Sequence, residues 1–388
     1  MSTRYGKAWH NSPSAYRQRG VVLLLMVALI VVSASYLLLT RLNGSQLSIS
    51  NNSRSAAALG EAKAALLGYA LGSRQQPGVL PCPDSDNDGI SNPPPPAAGP
   101  CTAAFARLPW KTLGLADLRD AGNARLWYAL APSFDGSGII NSETTAALRI
   151  DGGATAIAAV IMAPGSAMQG QNRLPAAQND PLQYLENDNA DNDNNYVTTA
   201  AGNFNDQLLS LTQSELLQAT ERRVLQEVRR QLRNYYNDNG TFPYAATPGD
   251  ASQACDNNVN QGFVPLSIGT LPASLNPCTT PDWTASPTAA LPAWFAANAW
   301  DQLIWYAVAP ACAPPACITA LNTPTPNNDK AAILLAAGPP LAGQLRPPLP
   351  PMINNLLDSA ENSDGINLIF ERLPVDSLSN DQLLVVFP

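Results

Sequence analysis

The chain has 388 residues, 45% of them hydrophobic, so it is long enough for two domains with apolar cores. Its net charge is −8 and 13% of its residues are charged, which excludes the basic surface that nucleic-acid binding requires. The low charge and the 35 prolines are typical of an exported, loop-rich protein. The only histidine is His10, and GxSxG, P-loop and GxGxxG motifs are absent, so we predict that the protein is not an enzyme. Carboxylate pairs leave a glycosidase-like dyad open as an alternative.

A basic leader precedes one long apolar run. Residues 1–20 contain basic residues and no acidic residue, and residues 21–39 read VVLLLMVALIVVSASYLLL. A helix of about 20 apolar residues spans the hydrocarbon core of a bilayer, so we predict a transmembrane helix over 21–42. Because basic residues stay on the cytoplasmic side, 1–20 is predicted to be cytoplasmic and the rest of the chain to lie outside. The run is longer than the core of a signal peptide and lacks an A-x-A site.

Beyond residue 42 the chain repeats one arrangement of segments. Each copy opens with a helical segment, at 59–71 or 215–240, and the second one ends at Asn239-Gly240, a C-cap signal. The apolar runs WYALAP, AIAAVIM, AAILLAA and DQLLVVF predict short strands. Because LWYALAP recurs as IWYAVAP and NDQLL recurs unchanged, we predict two tandem modules, 43–212 and 213–388. The predicted fold class is α+β, with a helix packed on a small antiparallel sheet in each module.

The cysteines fall as sequence-local pairs. The pairs are Cys82 and Cys101, Cys255 and Cys278, and Cys312 and Cys317. An even number of cysteines in an exported chain predicts disulfides, although the sequence leaves their connectivity open. Zinc binding is the alternative, but no pair has CxxC spacing and His10 lies in the leader.

An acidic loop beside the first cysteine is a candidate calcium site. Asp84, Asp86 and Asp88 precede Gly89 in a D-x-D-x-D-G pattern, which places carboxylates on alternate residues before a sharp turn. The acid that a full calcium loop carries at its twelfth position is replaced by Pro95. A solvated turn rich in Asp and Asn is the alternative interpretation. A second, weaker acidic run occupies residues 186–193.

The N-terminal segment resembles that of type IV pilins and pseudopilins. The resemblance rests on residues 17–20 (RQRG) followed by the apolar residues 21–25, and on the sequence NDNGTFP at 237–243 after the second helix. It implies cleavage by a prepilin peptidase between Gly20 and Val21, often followed by methylation of the new amino terminus. It also implies a single-pass protein of the bacterial inner membrane whose bulk lies in the periplasm or in an extracellular filament.

The resemblance departs from the family at one position. Most pilins carry Glu as the fifth mature residue, and Leu25 stands there in this chain. This pattern is similar to the tip minor pseudopilin of type II secretion systems, some of which hold calcium. The implied function is a minor structural subunit of a type IV pilus or secretion filament. Its implied partners are other pilin-like subunits, the prepilin peptidase, the membrane and the inner-membrane assembly machinery. An uncleaved single-pass protein with a periplasmic binding domain is the alternative.

Overall fold

The computed structural model describes residues 51–95, 100–246, 259–266, 286–309, 311–313, 316–346, 353–376 and 378–387. The chain divides into two compact units, Met1–Arg54 and Ser55–Pro388, and every described strand lies in the second unit. Residues 51–72 are helical and form α1. The remaining α-helices are α2 (Gln213–Asn239), α3 (Ala293–Ala297) and α4 (Ile353–Leu356). Short 3-10 helices lie at Pro132–Phe134, Pro175–Ala177, Pro181–Gln183, Asn187–Ala190 and Trp300–Gln302.

The first sheet has four antiparallel strands in the order β1-β2-β4-β6. Its strands are β1 (Phe105–Arg107), β2 (Trp127–Leu130), β4 (Ile157–Ala163) and β6 (Gln207–Thr212). All seven residues of β4 are buried, as its uninterrupted apolar sequence requires. A separate parallel pair joins β3 (Arg149–Ile150) to β5 (Asn195–Tyr196).

The second sheet repeats this order. Four antiparallel strands lie in the order β7-β8-β10-β12. They are β7 (Gln261–Phe263), β8 (Ile304–Val308), β10 (Ala332–Ala336) and β12 (Gln382–Phe387). A parallel pair again accompanies the sheet, here β9 (Thr319–Leu321) with β11 (Ile369–Glu371). The strands predicted from WYALAP, AIAAVIM, AAILLAA and DQLLVVF are confirmed as β2, β4, β10 and β12.

Each sheet belongs to its own hydrophobic core. In the first core, α1 buries a row of residues spaced about one helical turn apart against the apolar residues of β2 and β4. The row comprises Leu59, Ala62, Leu66 and Ala70. In the second core, Val224, Val228 and Leu232 of α2 lie together with the residues of β8 and β10. An amphipathic helix therefore covers an apolar sheet in both cores.

Helix α2 also belongs to the first core. Leu216 and Leu217, in its first turn, are fully buried in the cluster that contains β2 and β4. The helix begins with a capping box, in which the Thr212 hydroxyl accepts the N–H of Glu215 and the Glu215 side chain accepts the N–H of Thr212. Gly240 ends it in the left-handed conformation (φ 70°), which confirms the predicted C-cap. The two modules thus share α2, where one helix per module was predicted.

The predicted fold class is wrong in the form given, because it included a transmembrane helix. None of the helices in the described ranges is long and apolar enough to cross a membrane. Helix α2, with 27 residues, is long enough, but it carries several arginines and glutamates. The predicted span 21–42 and the leader 1–20 lie outside the described residues.

Candidate functional site

The predicted calcium loop folds around the carboxylate of Asp84. This side chain is 1% exposed, and its oxygens accept the backbone N–H groups of Asn87 (2.6 Å), Asp88 (3.2 Å) and Gly89 (2.7 Å). Gly89 has φ +92°, a conformation that glycine adopts without strain. A pair of hydrogen bonds between the backbones of Asp84 and Arg107 attaches the loop to β1. The loop is therefore held in place by the sheet.

The three predicted carboxylates converge. Oxygen atoms of Asp84, Asp86 and Asp88 lie within 4.8 Å of one another, and the latter two side chains are exposed. Burial, together with the neighbouring Asp86 carboxyl, raises the pKa of Asp84 above its usual range. A hard divalent cation prefers oxygen ligands and would relieve the repulsion between the Asp84 and Asp86 carboxylates. The donor set therefore fits calcium. In the described part of the chain this is the one acidic group that converges in this way; the run 186–193 does not.

Two cations border the loop. Arg125 donates to the backbone carbonyl of Asn87 (2.6 Å) and to its side-chain oxygen (2.9 Å). The Lys111 ammonium donates to the backbone carbonyl of Asp88. Neither cation contacts a carboxylate oxygen of the loop, so the exposed carboxylates of Asp86 and Asp88 stay available to a metal ion.

Two of the predicted cysteine pairs form disulfides. Cys82, two residues before Asp84, is bonded to Cys101, and Cys312 is bonded to Cys317. The predicted pair Cys255 and Cys278 lies outside the described residues, as does the predicted processing site at Gly20 and Val21. The first disulfide fixes both ends of the segment that carries the candidate calcium ligands.

A partly buried polar network in the first module was not predicted from the sequence. Arg173 donates to the side-chain oxygen of Gln171 (2.8 Å), and Gln171 donates to Glu186 (2.8 Å). The other carboxylate oxygen of Glu186 accepts the backbone N–H of Asn205 (3.1 Å), and the backbone N–H of Glu186 donates to Asp206 (2.9 Å). These bonds tie the long β4–β6 connection to the end of the sheet.

The second module contains the same network at equivalent residues. Arg346 donates to Gln344 (2.9 Å), and Gln344 donates to Asp358 (2.9 Å). Asp358 accepts the N–H of Asn380 (2.7 Å), and its own N–H donates to Asp381 (2.7 Å). The signal in the sequence was the recurrence of QNR as QLR and of NDQLL unchanged. Sequence identity alone did not indicate which of these residues bond to one another.

Each network contains a buried aspartate whose pKa is raised well above its usual range. Burial, and then the nearby Glu186 carboxylate, raise the pKa of Asp206 to about 8. Burial and the Asp358 carboxylate raise the pKa of Asp381 to about 7. In both aspartates one side-chain oxygen is buried without a hydrogen-bond partner among the described residues. Both modules thus place a buried aspartate with a raised pKa beside a second carboxyl group.

Comparisons with known proteins do not assign this chain to a family. No family model, no curated protein and no solved structure matches the chain. The prediction that the protein is not an enzyme stays a prediction. The described residues contain a convergent acidic loop and a polar network that is repeated in both modules.

Proposed function

We propose that the protein is a structural subunit of a bacterial envelope filament, resembling a minor, tip-like pilin or pseudopilin. The observation that carries the proposal is the repetition of an α+β module down to individual hydrogen bonds, with α2 shared by both cores. Two modules packed on one helix suit a structural subunit. The buried carboxyl groups of Asp206 and Asp381 accept backbone N–H groups of loops, and the described residues include no histidine.

The sequence before the described residues supports the same proposal. The basic residues 17–20 precede an apolar segment, and the disulfides at Cys82–Cys101 and Cys312–Cys317 suit an oxidising compartment outside the cytoplasm. The partners would be other pilin-like subunits, a prepilin peptidase that cuts after Gly20, and the assembly machinery of the inner membrane. Leu25 in place of Glu suits a subunit that needs no subunit above it.

Mass spectrometry of the mature N-terminus tests this function. With a co-expressed prepilin peptidase, we expect the purified chain to begin at Val21 and to carry a methyl group. Gly20→Glu should block processing, whereas Gly6→Glu, in the same leader, should leave it unchanged. A chain that begins at Met1 or Ser2 in the presence of active peptidase would contradict the proposal.

We further propose that the acidic loop binds calcium through Asp84, Asp86 and Asp88. Binding would cross-link the buried and the exposed carboxylates of the loop and so stabilise the segment between Cys82 and Cys101. Calorimetry should detect calcium uptake by the wild-type protein at millimolar concentration or below. The double variant Asp86→Asn/Asp88→Asn should lose it. The matched control Asp191→Asn/Asp193→Asn, in the second acidic run, should bind as wild type does, and a wild-type protein that takes up no calcium would remove the site.

A further inference from the structure

A cavity in the first module is lined by four arginines. Its volume is about 430 Å³, and the residues that line it include Arg107, Arg119, Arg125 and Arg173. Among the described residues that line it there is no carboxylate. This concentration of positive charge is unexpected in a chain of net charge −8. Carboxylates outside the lining offset part of this charge, including Asp120 and Glu186 near Arg173, but the wall itself favours an anion.

Arg107 is the most buried of the four. Its side chain is 2% exposed and stacks between the rings of Trp127 and Tyr184, with 4.0 Å from the guanidinium carbon to each ring centroid. It donates to the backbone carbonyls of Gln178 (3.1 Å) and Arg125 (2.9 Å) and forms no ion pair with a described carboxylate. A buried charge that lacks an opposite charge is costly. Burial, reinforced by the nearby Arg125 and Arg173, lowers the pKa of Arg107 to about 10.

The second module shows that this position does not need a charge for packing. The β1–β2 register places Arg107 opposite Trp127, and the β7–β8 register places Phe263 opposite Trp305. Phe263 packs edge-on against Trp305 with ring centroids 5.5 Å apart. The same architecture therefore accommodates an apolar ring at the site where the first module buries a guanidinium. The charge of Arg107 is specific to the module that contains the cavity.

Two arginines that line the cavity share a single carboxylate partner, so part of their positive charge is not neutralised. Arg119 and Arg125 lie opposite each other in a hairpin turn and share one partner, Asp117, at 2.7 and 2.8 Å. Each guanidinium has five N–H donors, and Arg119, whose side chain is 36% exposed, uses three of them in its bonds to Asp117 and the backbone carbonyl of Asn123. Donors thus remain for a ligand.

We propose that this cavity binds a small hydroxylated ligand that carries a carboxylate or a phosphate group. The forked guanidinium matches both groups in bidentate geometry, and the volume lies in the range of small-molecule sites. The side chains of Asn87, Asn123 and Gln178 also line the cavity and supply neutral polar groups for the hydroxyls. Nothing in this inference depends on assembly into a filament.

Calorimetry on the full-length protein in detergent at low ionic strength tests the inference. The probes are glucose 6-phosphate, gluconate and the neutral control glucose. We expect at least one of the two anions to bind and glucose not to bind, and the comparison of the two identifies phosphate or carboxylate as the preferred group. Arg119→Gln should weaken binding by about tenfold or more. The matched control Arg149→Gln, outside the cavity, should bind as wild type does.

Arg107→Phe introduces the residue that the second module has at the equivalent position, Phe263. This variant should not bind the anions, and its circular dichroism spectrum should match that of wild type. If that variant fails to fold, Arg119→Gln decides the matter, because the Arg119 side chain is 36% exposed and its loss leaves the core intact. Failure of both anions to bind at millimolar concentration would overturn the proposal. So would equal affinity of wild type and Arg119→Gln.

Discussion

Asp206 carries a buried carboxyl whose pKa is raised to about 8 by burial and by the neighbouring Glu186. In the unfolded chain the pKa of an aspartate is about 4. Between these values the folded state holds a proton that the unfolded state has lost. The free energy of unfolding therefore decreases as the pH rises through this window, and the contribution of Asp206 becomes constant above about pH 8.

Replacing Asp206 with Asn tests this linkage. The amide is neutral at every pH and keeps an oxygen for the N–H of Glu186 and the side chain of Asn189. The free energy of unfolding of Asp206→Asn should fall less steeply between pH 5 and 8, by up to about 1.4 kcal/mol per pH unit. Urea unfolding at several pH values measures it, with Glu61→Gln, exposed on α1, as the control. An unaltered slope in Asp206→Asn would show that Asp206 is ionised in the folded protein.

At the scale of the elements, we predict that the capping box of α2 contributes to the stability of the protein. Thr212→Ala removes the hydroxyl that accepts the N–H of Glu215, and Glu215 also pairs with Lys63 of α1 at 2.7 Å. The expected loss of stability is about 1 kcal/mol, measured by chemical unfolding. The control is Thr199→Ala, at an exposed threonine of the β5–β6 connection, which should change stability by less than about 0.5 kcal/mol. Equal stabilities of the two variants would argue against the cap.

Elements whose signal is local could be predicted from the sequence. The run AIAAVIM became the fully buried strand β4, and Gly240 became the left-handed cap of α2, because short-range periodicity and glycine conformation determine both. The convergence of Asp84, Asp86 and Asp88 was likewise encoded by spacing. These features depend on residues within one turn or one strand.

Features that depend on long-range pairing could not be predicted. Arg107 contacts Trp127 because β1 pairs with β2, and it contacts Tyr184 because the β4–β6 connection packs against β1. The sharing of α2 was hidden because Leu217 and Val228 belong to one continuous apolar stripe, although they enter different cores. Periodicity identifies the buried face of a helix and not the partner that buries it.

At the scale of the whole molecule, the two disulfides should differ in their contribution to stability. Cys82 and Cys101 are 19 residues apart, and Cys312 and Cys317 are 5 apart. In the chain-entropy model the longer loop stabilises by about 3 kcal/mol and the shorter by about 2 kcal/mol. The double variant Cys82→Ala/Cys101→Ala should therefore unfold at lower denaturant than Cys312→Ala/Cys317→Ala. The reverse order would indicate that native contacts around the bonds, and not loop length, dominate.

The two modules are also joined by side-chain contacts away from α2. Asn298, 4% exposed and placed at the end of α3, accepts the N–H of Ile140 (2.9 Å) and a side-chain N–H of Gln76 (2.8 Å) through its side-chain oxygen. Its backbone carbonyl accepts from Asn141 (2.9 Å). One residue of the second module therefore satisfies polar groups on two separate segments of the first.

Asn298→Ala should weaken the coupling between the modules, because the buried N–H of Ile140 would lose its acceptor. Leaving one buried donor unpaired costs about 1 to 3 kcal/mol, so we expect the free energy of unfolding to fall by that amount. Hydrogen exchange of the peptide that contains Ile140 should accelerate, since its amide depends on this contact. Asn298→Asp keeps the accepting oxygen and should retain most of the protection at that amide. An exchange rate at Ile140 that is the same in Asn298→Ala as in wild type would show that this contact does not couple the modules.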